Sequence, residues 1–76
     1  MKNIEENKRD RFVRIAEART NKILNMIRLL GNCSNRGVYD YSDDDINKIF
    51  NAIEKETRFA KQRFNVEEKE SRFKLD

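Results

Sequence analysis

Between two stretches of helical period the chain reads Leu30-Gly31-Asn32-Cys33-Ser34-Asn35-Arg36-Gly37-Val38-Tyr39-Asp40-Tyr41-Ser42-Asp43-Asp44-Asp45-Ile46. Gly31 is a candidate left-handed residue closing a helix, and Asn32 leads into a polar run of turn formers. Ser42 with the three acids behind it is a start signal. Its hydroxyl can cap a first turn, the acids sit where the helix dipole favours anions, and Tyr41 and Ile46 occupy the two positions of a hydrophobic staple. The stretch therefore separates two helices, with a loop over 31–42.

Working outward, Val13, Ala16, Thr20, Ile23, Ile27 and Leu30 recur at steps of three and four, with Phe12 beside them. Ile46, Phe50, Ile53, Thr57, Ala60 and Phe64 do the same on the other side of the loop. Folding one stripe onto the other pairs Leu30 with Ile46, Ile27 with Phe50, Ile23 with Ile53, Thr20 with Thr57, Ala16 with Ala60 and Val13 with Phe64. Matching Thr to Thr and Ala to Ala keeps the interhelical distance even from layer to layer, as an antiparallel hairpin requires. The expected fold is all-α: a helix over 4–30 capped by Asn3, the 31–42 loop, a helix over 43–68, and a frayed tail over 69–76. After Phe64 the stripe positions fall on Glu67 and Ser71, so the tail has little to bury.

A chain of 76 residues buries only about 60% of its unfolded surface, and small domains close that gap with disulfides, metals, oligomerisation or very regular packing. One cysteine, Cys33, and no histidine point away from the first two. Cys33 itself reads as a small apolar filler rather than a nucleophile, having no histidine base. No apolar run reaches the ~20 residues of a membrane span, and the N-terminal residues lack the apolar core of a signal peptide. The expectation is a cytoplasmic protein without membrane contact. Six acid-to-base pairs at i,i+4 (Glu5/Arg9, Asp10/Arg14, Asp44/Lys48, Glu54/Arg58, Glu68/Arg72 and Glu70/Lys74) account for many of the charges as helix surface.

Function has to be read from what those pairs leave over. Residues 1–36 hold nine Lys/Arg against four Asp/Glu, a balance of +5, whereas residues 37–76 hold eight against ten, a balance of −2. Within the basic half, Lys8, Arg11, Arg19 and Lys22 fall inside an arc of about 80° at 100° per residue, and none has an acid at i±4. Such a strip can follow a phosphate backbone, with Asn21, Asn25 and Arg28 on a neighbouring face adding hydrogen bonds. The plainer alternative is that the four long side chains only flank and shield the apolar stripe.

The end of the first helix is apolar on nearly every side, through Ile23, Leu24, Met26, Ile27, Leu29 and Leu30. One partner helix cannot cover all of it, so Met26, Leu29 and Ile15 are candidate contacts of a second copy, giving a homodimeric four-helix bundle, or of another protein. The loop is dense in donors: Asn35, Arg36 and Tyr39 could form a recognition tip, though Asn, Ser and Gly are also ordinary turn residues. Phe59 lies off its stripe and could mark a partner contact. No phosphate loop, Ser/His or Cys/His pair, or metal-ligand spacing is visible, so no catalytic residue, metal or cofactor is expected.

With Arg19-Thr20-Asn21-Lys22, Leu29-Leu30-Gly31-Asn32, Ser34-Asn35 and Tyr39-Asp40-Tyr41 in view, residues 11–64 resemble small helical proteins of Gram-positive bacteria and their plasmids, conjugative elements and prophages. That resemblance implies a mobile-element accessory role and supplies no activity or site. In architecture alone the layout also resembles plasmid copy-number regulators of the Rop type, helical hairpin dimers that bind paired RNA loops. The sequence thus leads to a non-catalytic, self-associating accessory protein binding DNA or RNA through Lys8, Arg11, Arg19, Lys22 and Arg28. The alternative is a protein-interaction module or inhibitor using the 31–41 loop and the apolar end of the first helix.

Overall fold

The computed structural model describes residues 6–65, and among these the secondary structure is all helical, with no strand. Helix α1 spans Lys8–Gly31, a short 3-10 turn covers Asn32–Ser34, and helix α2 spans Asp43–Arg63. The chain divides into two units, Met1–Asp40 and Tyr41–Asp76, each carrying one of these helices.

Helix α1 starts later than its pattern predicts. Asn7, extended at φ −79° and ψ 173°, is the cap, and its Oδ1 accepts the Asp10 amide at 2.7 Å. The first helical bond, Arg11 N–H to the Asn7 carbonyl, is 3.0 Å long. The expected cap at Asn3 lies outside the described residues, and Glu6 and Asn7 are not helical. The Asn7 side chain meets one unpaired amide and the acid Asp10 stands at the positive end of the dipole, so the helix can begin here.

Gly31 is a correction. It is right-handed, at φ −59° and ψ −28°, and no described glycine has positive φ. The helix runs through Gly31, and the Asn32 amide is shared among the carbonyls of Arg28, Leu29 and Leu30. Tightening into a 3-10 turn satisfies those last carbonyls without a left-handed residue.

The loop that follows is organised by Asn35. Its carbonyl accepts the amides of Val38 at 3.0 Å and Tyr39 at 2.9 Å, while its Oδ1 accepts the Gly37 amide at 2.9 Å. The side-chain bond to Gly37 and the two backbone bonds tie three loop residues to one asparagine.

Helix α2 begins where expected. Ser42 Oγ accepts the Asp45 amide at 3.1 Å, and the Ser42 amide donates to Asp45 Oδ2 at 2.9 Å, a complete capping box. Tyr41 and Ile46 are both half-buried, as the ends of a staple should be. At the other end the helix stops at Arg63, short of the expected residue 68. Phe64 and Asn65 form a turn held by 3.1 and 2.9 Å bonds to the carbonyls of Lys61 and Gln62. Residues 66–68 and the 69–76 tail lie outside the described residues.

No described residue is buried. The half-buried apolar side chains are Val13, Ile15, Ala16 and Leu30 on α1, Ile46 and Ile53 on α2, and Tyr41 before it. Apart from Ile15 and Tyr41, all of these belong to the two expected stripes. Other stripe members stay open, Ile23 at 58% and Phe64 at 75% exposure.

Candidate nucleic-acid interface

Because α1 is one uninterrupted helix over Lys8–Gly31, the strip predicted from residue spacing is realised on it as a surface. Lys8, Arg11, Arg19 and Lys22 are all exposed, share an arc of about 80°, and extend over about 21 Å of helix axis. Duplex DNA carries one charge per ~1.7 Å of axis, so a strip of this length faces many phosphates. Ile15 sits in the middle of the arc, one turn from both Arg11 and Arg19. Ile15 is itself half-buried.

Arg28 is not brought together with these four. On the same helix it lies about 140° around the axis from the strip's midline, on the side that also carries Asn21 and Asn25. Its place in the last turn complements the helix dipole. Met26 and Leu29, in contrast, fall on the line of the strip itself, at 61% and 50% exposure. One face of α1 is therefore cationic over its first four turns and apolar over its last two, a succession that a grouping into separate patches misses.

The largest departure from the expected charge pattern is at the helix start. Arg14 turns away from Asp10 and grips Glu6, eight residues back, through Nε to Oε2 at 2.7 Å and Nη2 to Oε1 at 2.9 Å. Arg11 Nε stands 4.0 Å from the same carboxylate. The hydrogen bond from Arg14, ahead of the charges of Arg14 and Arg11, holds the Glu6 carboxyl below its ordinary range, and Glu6 in turn raises Arg14. One member of the strip is thus partly neutralised by an acid that an i±4 search does not reach. Had α1 started at residue 4, Glu6 and Arg14 would stand about 12 Å apart along the axis. The contact exists because the chain leaves the helix at Asn7.

Elsewhere the expected pair Asp44 and Lys48 forms at 3.1 Å, whereas Glu5/Arg9, Glu68/Arg72 and Glu70/Lys74 involve residues outside those described. Two cations stand over rings one turn away on the same helix, Arg9 over Phe12 at 6.0 Å and Lys55 over Phe59 at 5.8 Å. Phe59 is 48% exposed and about 140° around α2 from the stripe, whereas Ile49, 37% exposed and absent from the expected stripe, borders it. In the loop, Tyr39 and Val38 are exposed at 49% and 67%, Arg36 is exposed, and Cys33 is a free exposed thiol. Asn35 spends its side-chain carbonyl on the turn, leaving only its amide group to face outward.

No helix among the described residues is long and apolar enough to cross a membrane, and none of their His, Cys, Asp and Glu side chains cluster as a metal site would need. No family model, curated protein or solved structure matches the chain.

Proposed function

We propose that this chain is a small non-catalytic accessory protein that folds as an antiparallel helical hairpin, pairs with a second copy, and binds nucleic acid through the cationic face of α1. The observation that carries the binding is the exposed strip of Lys8, Arg11, Arg19 and Lys22 on a single uninterrupted helix. Arg28, about 140° around the helix from them, is not part of this strip.

Self-association is supported by burial. Most helical stability in proteins comes from covering an apolar face rather than from helix propensity. Yet no described residue is buried, and Leu24, Met26 and Leu29 stand open at one end of α1. Pairing the two stripes layer by layer covers one face; a second copy covers Met26 and Leu29.

The test is binding of a fluorescein-labelled duplex DNA, and a duplex RNA of equal length, across salt. Arg19→Ala with Lys22→Ala should weaken binding and reduce the slope of log K against log salt by about 1.8, two released counterion contacts. Undetectable binding at 50 mM salt, or an unchanged slope in the double variant, sinks the proposal.

A second reading is favoured by one observation, the turn built on Asn35, which holds Val38 and Tyr39 exposed beside the apolar end of α1. In that reading the 31–41 loop docks a protein partner. Arg36→Ala with Tyr39→Ala should then abolish capture of the partner, whereas nucleic-acid binding predicts little loss from these changes.

A further inference from the structure

We propose that Arg11 and Arg14 form a phosphate subsite that the chain's own Glu6 closes, the carboxylate being displaced when a phosphate group binds. The proposal rests on reading α1 as an anion-binding helix and adds a residue, Arg14, that lies outside the strip. In the structure a carboxylate already occupies the place of an anionic ligand: two of its oxygens meet the Arg14 fork at 2.7 and 2.9 Å, and Arg11 approaches to 4.0 Å. Two oxygens of a phosphate match the same planar fork, with more charge to offer.

Three features make displacement easy. Both guanidiniums are open to solvent, Arg11 at 58% and Arg14 at 62% side-chain exposure. Glu6 lies before the Asn7 cap, so it can swing aside while the Asn7 to Asp10 and Arg11 to Asn7 bonds keep the helix start intact. An exposed ion pair is worth at most a few-fold in an equilibrium, which a phosphate of higher charge can outbid. Opening the clasp widens the cationic arc of α1 from about 80° to about 140°, because Arg14 stands about 60° beyond Arg11. Glu6 therefore sets how broad a phosphate surface the helix presents.

The test uses the full chain with Glu6→Gln, Glu6→Gln plus Arg14→Ala, and Glu56→Gln as a charge-matched change on α2. In the first arm, inorganic pyrophosphate is titrated while the Arg14 Nε–Hε resonance is followed by NMR. Glu6→Gln should bind about three-fold tighter than the wild type, the Glu56→Gln change should match the wild type, and far-UV circular dichroism should show equal helix in all. In the second arm, duplex DNA at 50 mM salt should bind Glu6→Gln about three-fold tighter, with a slope against log salt steeper by about 0.9, and the Arg14→Ala change should cancel the gain. An Arg14 resonance that pyrophosphate does not move, or that responds alike in wild type and Glu6→Gln, overturns the subsite. If the first arm succeeds and duplex is not bound at all, the subsite stands with free phosphate as its ligand, and the nucleic-acid reading above falls.

Discussion

Ser42 and Asp45 exchange two hydrogen bonds, the Asp45 amide to Ser42 Oγ at 3.1 Å and the Ser42 amide to Asp45 Oδ2 at 2.9 Å, and between them they set the start of α2. Each side chain satisfies a backbone amide that the helix leaves unpaired. Substituting Ser42 by Ala removes one acceptor and should lower stability by about 1 kcal/mol, whereas Gly at the same position should cost only a few tenths. Urea unfolding followed at 222 nm, at one fixed protein concentration, measures both. An Ala variant as stable as the wild type would show that the box does not hold in solution.

Gly31 gives a prediction of the opposite sign. It is right-handed, and a Cβ built on it meets nothing within 4 Å. Gly31→Ala should therefore stabilise by about 0.5 kcal/mol, through helix propensity and a less free unfolded chain. Had Gly31 been the left-handed residue that its position after Leu30 suggests, the same change would cost stability. The direction of the melting shift decides between the two.

Gly37 is the contrasting case. Its Cβ would come within 3.2 Å of Asn35 Oδ1, the atom that accepts the Gly37 amide. Gly37→Ala should push that side chain off its bond and loosen the turn while leaving both helices intact. Faster amide exchange at Gly37, Val38 and Tyr39 with unchanged helicity is the expected outcome; unaltered exchange would mean the turn does not depend on Asn35.

Leu29, 50% exposed on the line of the basic strip, tests the self-association part of the proposal. Burial of a leucine side chain is worth about 2 kcal/mol, and an aspartate in its place adds the penalty of a buried charge. Leu29→Asp should convert a dimer to a monomer by light scattering at micromolar concentration. A wild type already monomeric there would remove the second copy from the proposal.

Both helices, the α2 start and the strip were legible in the sequence because each rests on interactions within about one turn, where residue spacing alone dictates neighbours. Ser42 needs only Asp45 three residues on; Lys8, Arg11, Arg19 and Lys22 need only an unbroken helix between them. The site was less legible at its edge. Glu6 reaches Arg14 across eight residues, and that reach depends on where the helix begins, which the spacing put at Asn3 and the structure puts at Asn7.

What the sequence by itself determined is therefore local: two amphipathic helices, the capping box at Ser42, a polar break between them and a cationic face on the first. The structure decided what depends on the path of the backbone. It set Gly31 inside the helix, committed the Asn35 carbonyl groups to a turn, and drew the Glu6 carboxylate onto Arg14 and Arg11. The physical reason is common to all three. A glycine, a turn asparagine and a flexible acid each have several conformations of nearly equal free energy, and only the bonds available to the surrounding chain select one.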